Sequence, residues 1–374
     1  MEELTPHFTA WRVMPAGTRE VIDAVVAPAS QGSASLSQAL ARWPGKWYWA
    51  DQARGELVLV RPLTLHKPRW LLHSGLIALT ILCTLGAGAI LAGSYSPEIR
   101  PGFTGAFISA GEFFLRAVQR DWLVLLQGWS FAVPLLAILT VHELGHYVTA
   151  RRYAIDTTPP YFIPVPPTLS PIGSLGAFIR VSSPVVDRRQ LLDVGAAGPL
   201  AGFVVAIAVL IWGYSTSERI PIVLGSDPSY VTLMGQPLFL GESLVTRWMR
   251  EWLLPGTTAV HLSLPAFAGW VGMFITGLNL IPLSQLDGGH VTYGILGRYQ
   301  SRVALLAVLG MLWLAQRSPN WLVWVVFAFL VGGGRFGHPS VMVPERPIPR
   351  SRWLTALACV VVFVLTFVPV PFTD

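Results

Sequence analysis

Six stretches without a single Asp, Glu, Lys or Arg dominate this sequence: Trp70–Pro97, Trp122–His142, Val194–Ser217, Ala259–Leu286, Ser318–Gly334 and Trp353–Thr373. Crossing the hydrocarbon core of a bilayer takes roughly 20 apolar residues, so most of these stretches read as transmembrane helices. Val303–Gln316 is a shorter candidate that, with Ser318–Gly334, suggests a hairpin of two short helices around Arg317. About seven spans are therefore expected. Charged residues make up 12% of the 374-residue chain, about half the usual share, which argues against a pair of ordinary soluble domains.

The formal charge of +6 is not a nucleic-acid signal, because the basic residues sit beside span ends. Lys67 and Arg69, Arg151 and Arg152, Arg188 and Arg189, Arg298 and Arg302, and Arg335 through Arg352 mark those ends. Placed on the cytoplasmic side, they give one path with the N-terminus inside and the C-terminus outside, against which only Arg247 and Arg250 run. The expected setting is a bacterial plasma membrane, or an organelle membrane, with the site toward the cytoplasmic side. Cys83 and Cys359 lie inside apolar runs and suggest no disulfide framework. Residues 1–69 lack a cationic start leading into an apolar core, so the first span is expected to direct insertion.

Four regions follow from this pattern. Residues 1–66 read as a small soluble region, with a β-hairpin from Trp47–Trp49 and Glu56–Val60 around the Asp51–Gly55 turn, and a short helix over Leu36–Trp43. A core this small is marginal, so it is expected to lean on the membrane portion or a partner. Residues 67–121 hold the first span and a connection with an amphipathic helix from Gly111; 122–300 form the membrane core; 301–374 hold the last helices. Residues 218–258 read as a mixed loop with Trp248 and Trp252 at an interface. The proline-rich stretch from Asp156 cannot begin as a regular helix, yet it stays apolar. It reads as a re-entrant loop or β-hairpin, ending in Gly173–Ile179, because irregular backbone at membrane depth must be covered by protein or line a cavity. The expected fold is an all-α polytopic membrane protein with this one β-like segment.

Chemistry concentrates at His142-Glu143-Leu144-Gly145-His146. On a helix the two histidines fall one turn apart on the same face, a spacing that suits one Zn²⁺. Glu143 adjoins the metal without needing to ligate it, so it can take a proton from the attacking water. Catalytic zinc usually has a third protein ligand. Asp287 fits, being the only acid between Glu251 and Glu345, with Pro282 before it and Gly288-Gly289 after it to break helix geometry. Capping a helix over Val291–Leu296 is compatible with that role. His290 ranks second as a ligand. His7, His66, His73, His261 and His338 read as interfacial or hydrogen-bonded.

His142–His146, then Asn279-Leu280-Ile281-Pro282 and Leu286–His290, together resemble the site-2 protease family of intramembrane zinc metalloproteases, over roughly residues 122–290. Gly173–Ile179 and Ala197–Gly202 resemble its members without a PDZ domain, including the chloroplast and cyanobacterial branch. The resemblance implies a three-helix catalytic core near 122–150, 194–216 and 263–283. It also implies zinc held by His142, His146 and Asp287, Glu143 as base, and transmembrane segments of other proteins as substrates in regulated proteolysis. Asn279 and Pro282 are candidate substrate contacts, as is the edge formed by Gly173, Ser174, Leu175 and Gly176, which suits β-augmentation of an unwound substrate. For Asn279, tying neighbouring helices together is an equal alternative. A metal-ion transporter would show several ligand sites along a path, whereas one cluster is seen. A noncatalytic scaffold would not need Glu143.

Overall fold

The structure is a computed structural model that describes residues 1–63, 68–94, 97–120, 122–220, 229–256 and 259–373. His66, Lys67 and residues 221–228 of the expected 218–258 loop lie outside the described residues.

The N-terminal region folds as strands β1 (Phe8–Ala16) and β2 (Arg19–Val26), helix α1 (Ala34–Ala41), and strands β3 (Lys46–Asp51) and β4 (Glu56–Pro62). They form one antiparallel sheet in the order β1-β2-β4-β3. Ser33 caps α1 by accepting from the Leu36 amide at 3.2 Å. The expected turn forms where the Asp51 carboxylate accepts from the Ala53 and Arg54 amides at 3.0 and 3.2 Å. One face of the sheet, through Ile22, Leu57 and Leu59, packs on Leu36 and Leu40 of α1. The other, through Val21, Val58 and Val60, packs on Val186 and Val343 of the rest of the chain. A sheet apolar on both faces cannot stand alone, which is why this region leans on the membrane portion.

Next come α2 (Trp70–Leu91), α3 (Gly102–Arg120), α4 (Leu123–Leu126), α5 (Trp129–Arg152), the strand pair β5 (Tyr161–Pro164) and β6 (Ser174–Phe178), and α6 (Arg188–Ser215). Strands β7 (Glu218–Ile220), β8 (Ser229–Leu233) and β9 (Gln236–Leu240), helix α7 (Leu244–Leu253) and strand β10 (Ala259–His261) follow. The chain ends with α8 (Leu264–Asn279), α9 (Asp287–Leu296), α10 (Gln300–Leu314), α11 (Asn320–Val331), α12 (Ser351–Thr366) and strand β11 (Phe372–Thr373).

One expectation needs correction. The fold is mostly helical but not all-α: besides the N-terminal sheet and the β5–β6 hairpin, it has a five-stranded sheet in the order β11-β9-β8-β10-β7. Among the described residues, four helical stretches are long and apolar enough to cross a membrane, namely α2, α5, α6 and Asp287–Leu314, which joins α9 to α10. The other apolar helices, α8, α11 and α12, have 10–17 residues, and at ~1.5 Å per residue they fall short of a bilayer core about 30 Å thick. Prolines and polar turns end them early: Pro282 follows α8, and Pro319 precedes α11. The long apolar helices make this a membrane protein. Within the expected interfacial loop, α7 exposes Trp248 and Trp252.

Helices α5, α6 and α8 pack on one another, and α9 packs on α6. Gly145 of α5 meets α6 so closely that a Cβ there would lie 2.6 Å from the Ala197 carbonyl oxygen. The N-terminal sheet locks onto this bundle through Arg346, a buried cation paired with Asp23, with Glu56 at 3.3 Å and with Asp187 at 3.1 Å. Asp187 is also the N-cap of α6 and accepts from the Tyr48 hydroxyl at 3.0 Å. Arg19 donates to the carbonyls of Ala154 and Pro184, and burial in this seam draws its guanidinium down to about 10. Removing one member of a buried ion cluster leaves its partners uncompensated. Arg346→Ala is expected to cost about 3–5 kcal/mol, read as a lower unfolding midpoint of the detergent-purified protein. An unchanged midpoint would remove the cluster from any account of how the sheet is held.

Candidate metal centre

Helix α5 carries His142 and His146 one turn apart, with ring centroids 4.8 Å apart and Nε2 atoms 3.1 Å apart. Asp287 reaches them from the first turn of α9. Its Oδ2 lies 3.2 Å from His142 Nε2 and its Oδ1 lies 3.2 Å from His146 Nε2. The turn that delivers Asp287 is tight, because a Cβ at Gly288 would lie 2.0 Å from the Leu280 carbonyl oxygen. Any side chain at Gly288 would push α9, and the carboxylate with it, away from α8.

Helix α6 sets the histidines from behind. The His146 Nδ1–H donates to the Val194 carbonyl at 2.7 Å, which fixes the tautomer and leaves Nε2 as the free lone pair. Pro199 lacks an N–H for the Gly195 carbonyl, so the helix ladder is loosened just beyond this point. Gly198 faces the ring directly: a Cβ there would sit 2.1 Å from His146 Nε2.

His142, Glu143 and His146 are each buried. Imidazole lone pairs and carboxylate oxygens crowded this closely in a dry interior repel one another unless a cation lies between them. Donors around a tetrahedral zinc with bonds of ~2.0–2.1 Å are separated by roughly 3.3 Å, and the separations here are 3.1–3.2 Å. The donor set of two nitrogens and a carboxylate therefore fits zinc.

Glu143 stands beside this set, its Oε1 4.0 Å from His142 Nε2, and accepts a hydrogen bond from the Ile179 amide. Ile179 directly follows β6, so the hairpin ends at the glutamate. The Asn279 side-chain amide, at the end of α8, lies 3.4 Å from His142 Nε2.

The remaining candidates are scattered. His290 turns its ring toward His338, with centroids 5.0 Å apart, and is not among the converging donors. His7, His73 and His261 have hydrogen-bond partners in Ser30, Pro160 and Thr232. Pro282 lines an apolar groove away from the metal donors, and its carbonyl accepts from Gln300 at 3.1 Å. Gly173 is pressed against α2, and the Ser174 hydroxyl donates to the Ile163 carbonyl at 3.0 Å. Leu175 is 71% exposed, and Gly176 has a φ of +96°. Sequence reasoning did not single out the Ile179 amide or the Val194 carbonyl, since backbone groups carry no side-chain signal. The role of Gly198 was visible only as part of the Ala197–Gly202 resemblance.

Gly198→Ala should displace the His146 ring and weaken metal binding about 10–100-fold, measured as zinc retained against a graded chelator. Wild-type retention would mean that the α5–α6 contact does not shape the centre.

Comparison with known proteins places residues 130–314 in a match to the model of peptidase family M50. The probable zinc metalloprotease EGY2, chloroplastic, of Oryza sativa subsp. indica is 32% identical over 244 residues, covering 64% of this chain and 42% of that protein. Its Arabidopsis thaliana counterpart is 30% identical over 274 residues, covering 69% of this chain and 46% of that protein. The probable zinc metalloprotease EGY1, chloroplastic, of Arabidopsis thaliana is 28% identical over 255 residues, covering 64% and 42%. The chain thus spans less than half the length of these relatives, and no solved structure matches it. Residues 130–314, which carry both histidines, Glu143 and Asp287, are thus the part of the chain that is similar to peptidase family M50.

Proposed function

We propose that this chain is an intramembrane zinc metalloprotease that hydrolyses peptide bonds in or near transmembrane segments of other membrane proteins, in regulated proteolysis. The observation that carries this reading is the convergence of His142, His146 and Asp287 within 3.1–3.2 Å, with Glu143 beside them but outside the donor set.

Zinc, when bound, supplies Lewis-acid polarisation and makes water a nucleophile at neutral pH. Glu143 accepts the proton of the attacking water and passes it to the leaving amine, the Ile179 amide holding its carboxylate in place. The Asn279 side-chain amide, 3.4 Å from His142 Nε2, can meet the developing oxyanion. A helical substrate hides its carbonyls in its own hydrogen bonds, so it must unwind locally. The edge of β6, next to Glu143, offers backbone for the unwound stretch to pair with, and exposed Leu175 and Phe178 flank it. The arginines at the Arg151–Arg152 end of α5 favour a catalytic site near the cytoplasmic face, or its organellar equivalent. The chloroplastic names of the relatives fit an organelle.

In proteoliposomes, Glu143→Gln is expected to lower cleavage of a membrane-spanning peptide by at least about 10²-fold while keeping one zinc per chain. Chelation should abolish wild-type cleavage and added zinc should restore it. Undiminished cleavage by the variant would contradict the role of Glu143, and zinc flux without cleavage would favour transport.

A further inference from the structure

A groove of about 420 Å³ runs between α9, the start of α10 and α12. Its walls are almost entirely carbon, with Thr292, Cys359 and Trp353 carrying the only side-chain heteroatoms. No residue of α2, α5 or the β5–β6 hairpin lines it, so it opens on a different side of α9 from Glu143. It runs along Asp287–Leu314, one of the stretches able to cross a membrane, so its natural filling is hydrocarbon.

One end of the groove has a different chemistry. Leu296, Val303 and Trp353 line it there, and the adjoining chain carries Arg298, Arg302 and Arg350, all exposed. Among the described residues, none of the three forms an ion pair, whereas neighbouring Arg352 is held by Asp193 at 2.6 Å. Arg298 and Arg302 lie 5.2 and 5.1 Å from the centre of the Tyr299 ring. Exposed Tyr299 and Trp353 suit the depth at which headgroups begin. Guanidinium groups without carboxylates match a phosphate, which they can grip with paired N–H donors.

We infer that this groove binds an anionic phospholipid of the surrounding bilayer, with an acyl chain between α9 and α12 and the phosphate at Arg298, Arg302 and Arg350. Free phosphate would satisfy only the arginines, and a substrate helix only the groove. A phospholipid joins both chemistries in one molecule.

The test is native mass spectrometry of the purified full chain after exchange into equal phosphatidylglycerol and phosphatidylcholine. Wild type should retain one phosphatidylglycerol with a preference of at least about tenfold, as three juxtamembrane arginines imply. Combined R298Q, R302Q and R350Q should abolish the preference. V360W, which fills the half-open groove wall, should lower retention of both lipids without changing zinc content. Equal retention of the two lipids by wild type would overturn the inference, and needs no variant. So would displacement of the lipid by inorganic phosphate alone, or one-for-one exchange with an apolar transmembrane peptide, which would make the groove a helix site.

Discussion

Two imidazoles and a carboxylate face one another in a dry bundle, an arrangement that a cation held between them stabilises. Unpaired buried charge costs several kcal/mol, and crowded lone pairs gain nothing from apolar neighbours. The surrounding structure can be understood as what holds these donors at 3.1–3.2 Å against that cost. Helix α5 supplies two of them from adjacent turns, α9 supplies the third across a turn closed by Gly288, and α6 orients His146 through the Val194 carbonyl. Gly145 matters because it lets α5 approach the backbone of α6, and Gly198 because it leaves room for the His146 ring. A larger residue at either position would open the interface at the depth of the histidines.

A second layer reaches the glutamate. The base of the β5–β6 hairpin is fastened to the N-terminal sheet, where the Thr18 hydroxyl donates to Asp156 at 2.7 Å and Arg19 binds the Ala154 and Pro184 carbonyls. The Ile179 amide of the same segment donates to Glu143. The small N-terminal sheet thus steadies the strand that meets the Glu143 carboxylate, and it gains from the membrane bundle the core it lacks. Arg346 ties that sheet to the N-cap of α6, so both supports of the centre converge on Asp187.

Much of this was legible in the sequence, for reasons that differ by element. Histidines at i and i+4 in an uncharged helix, and one carboxylate alone in a long neutral stretch, are side-chain signals that survive without a structure. The hairpin at β5–β6 was readable because prolines forbid a helix there while the stretch stays apolar. The β1–β2 hairpin was missed, although Gly17-Thr18 ahead of the β-branched run Val21–Val26 is a usable turn signal. The five-stranded sheet was harder, because its strands are 2–5 residues long and come from distant segments. Periodicity cannot reveal so short a strand. Of the charge-free runs, those at α2, α5 and α6 form long apolar helices, whereas those at α8, α11 and α12 form shorter ones because prolines and turns lie close to their ends.

The central claim is that His142, His146 and Asp287 hold one zinc ion. Zinc K-edge X-ray absorption of the purified chain tests it most directly. The expected result is one zinc per chain, with two imidazole nitrogens at ~2.0–2.1 Å, the rest of the shell oxygen, and no sulfur. A spectrum with a thiolate ligand, with fewer than two imidazoles, or with no stoichiometric zinc would contradict it.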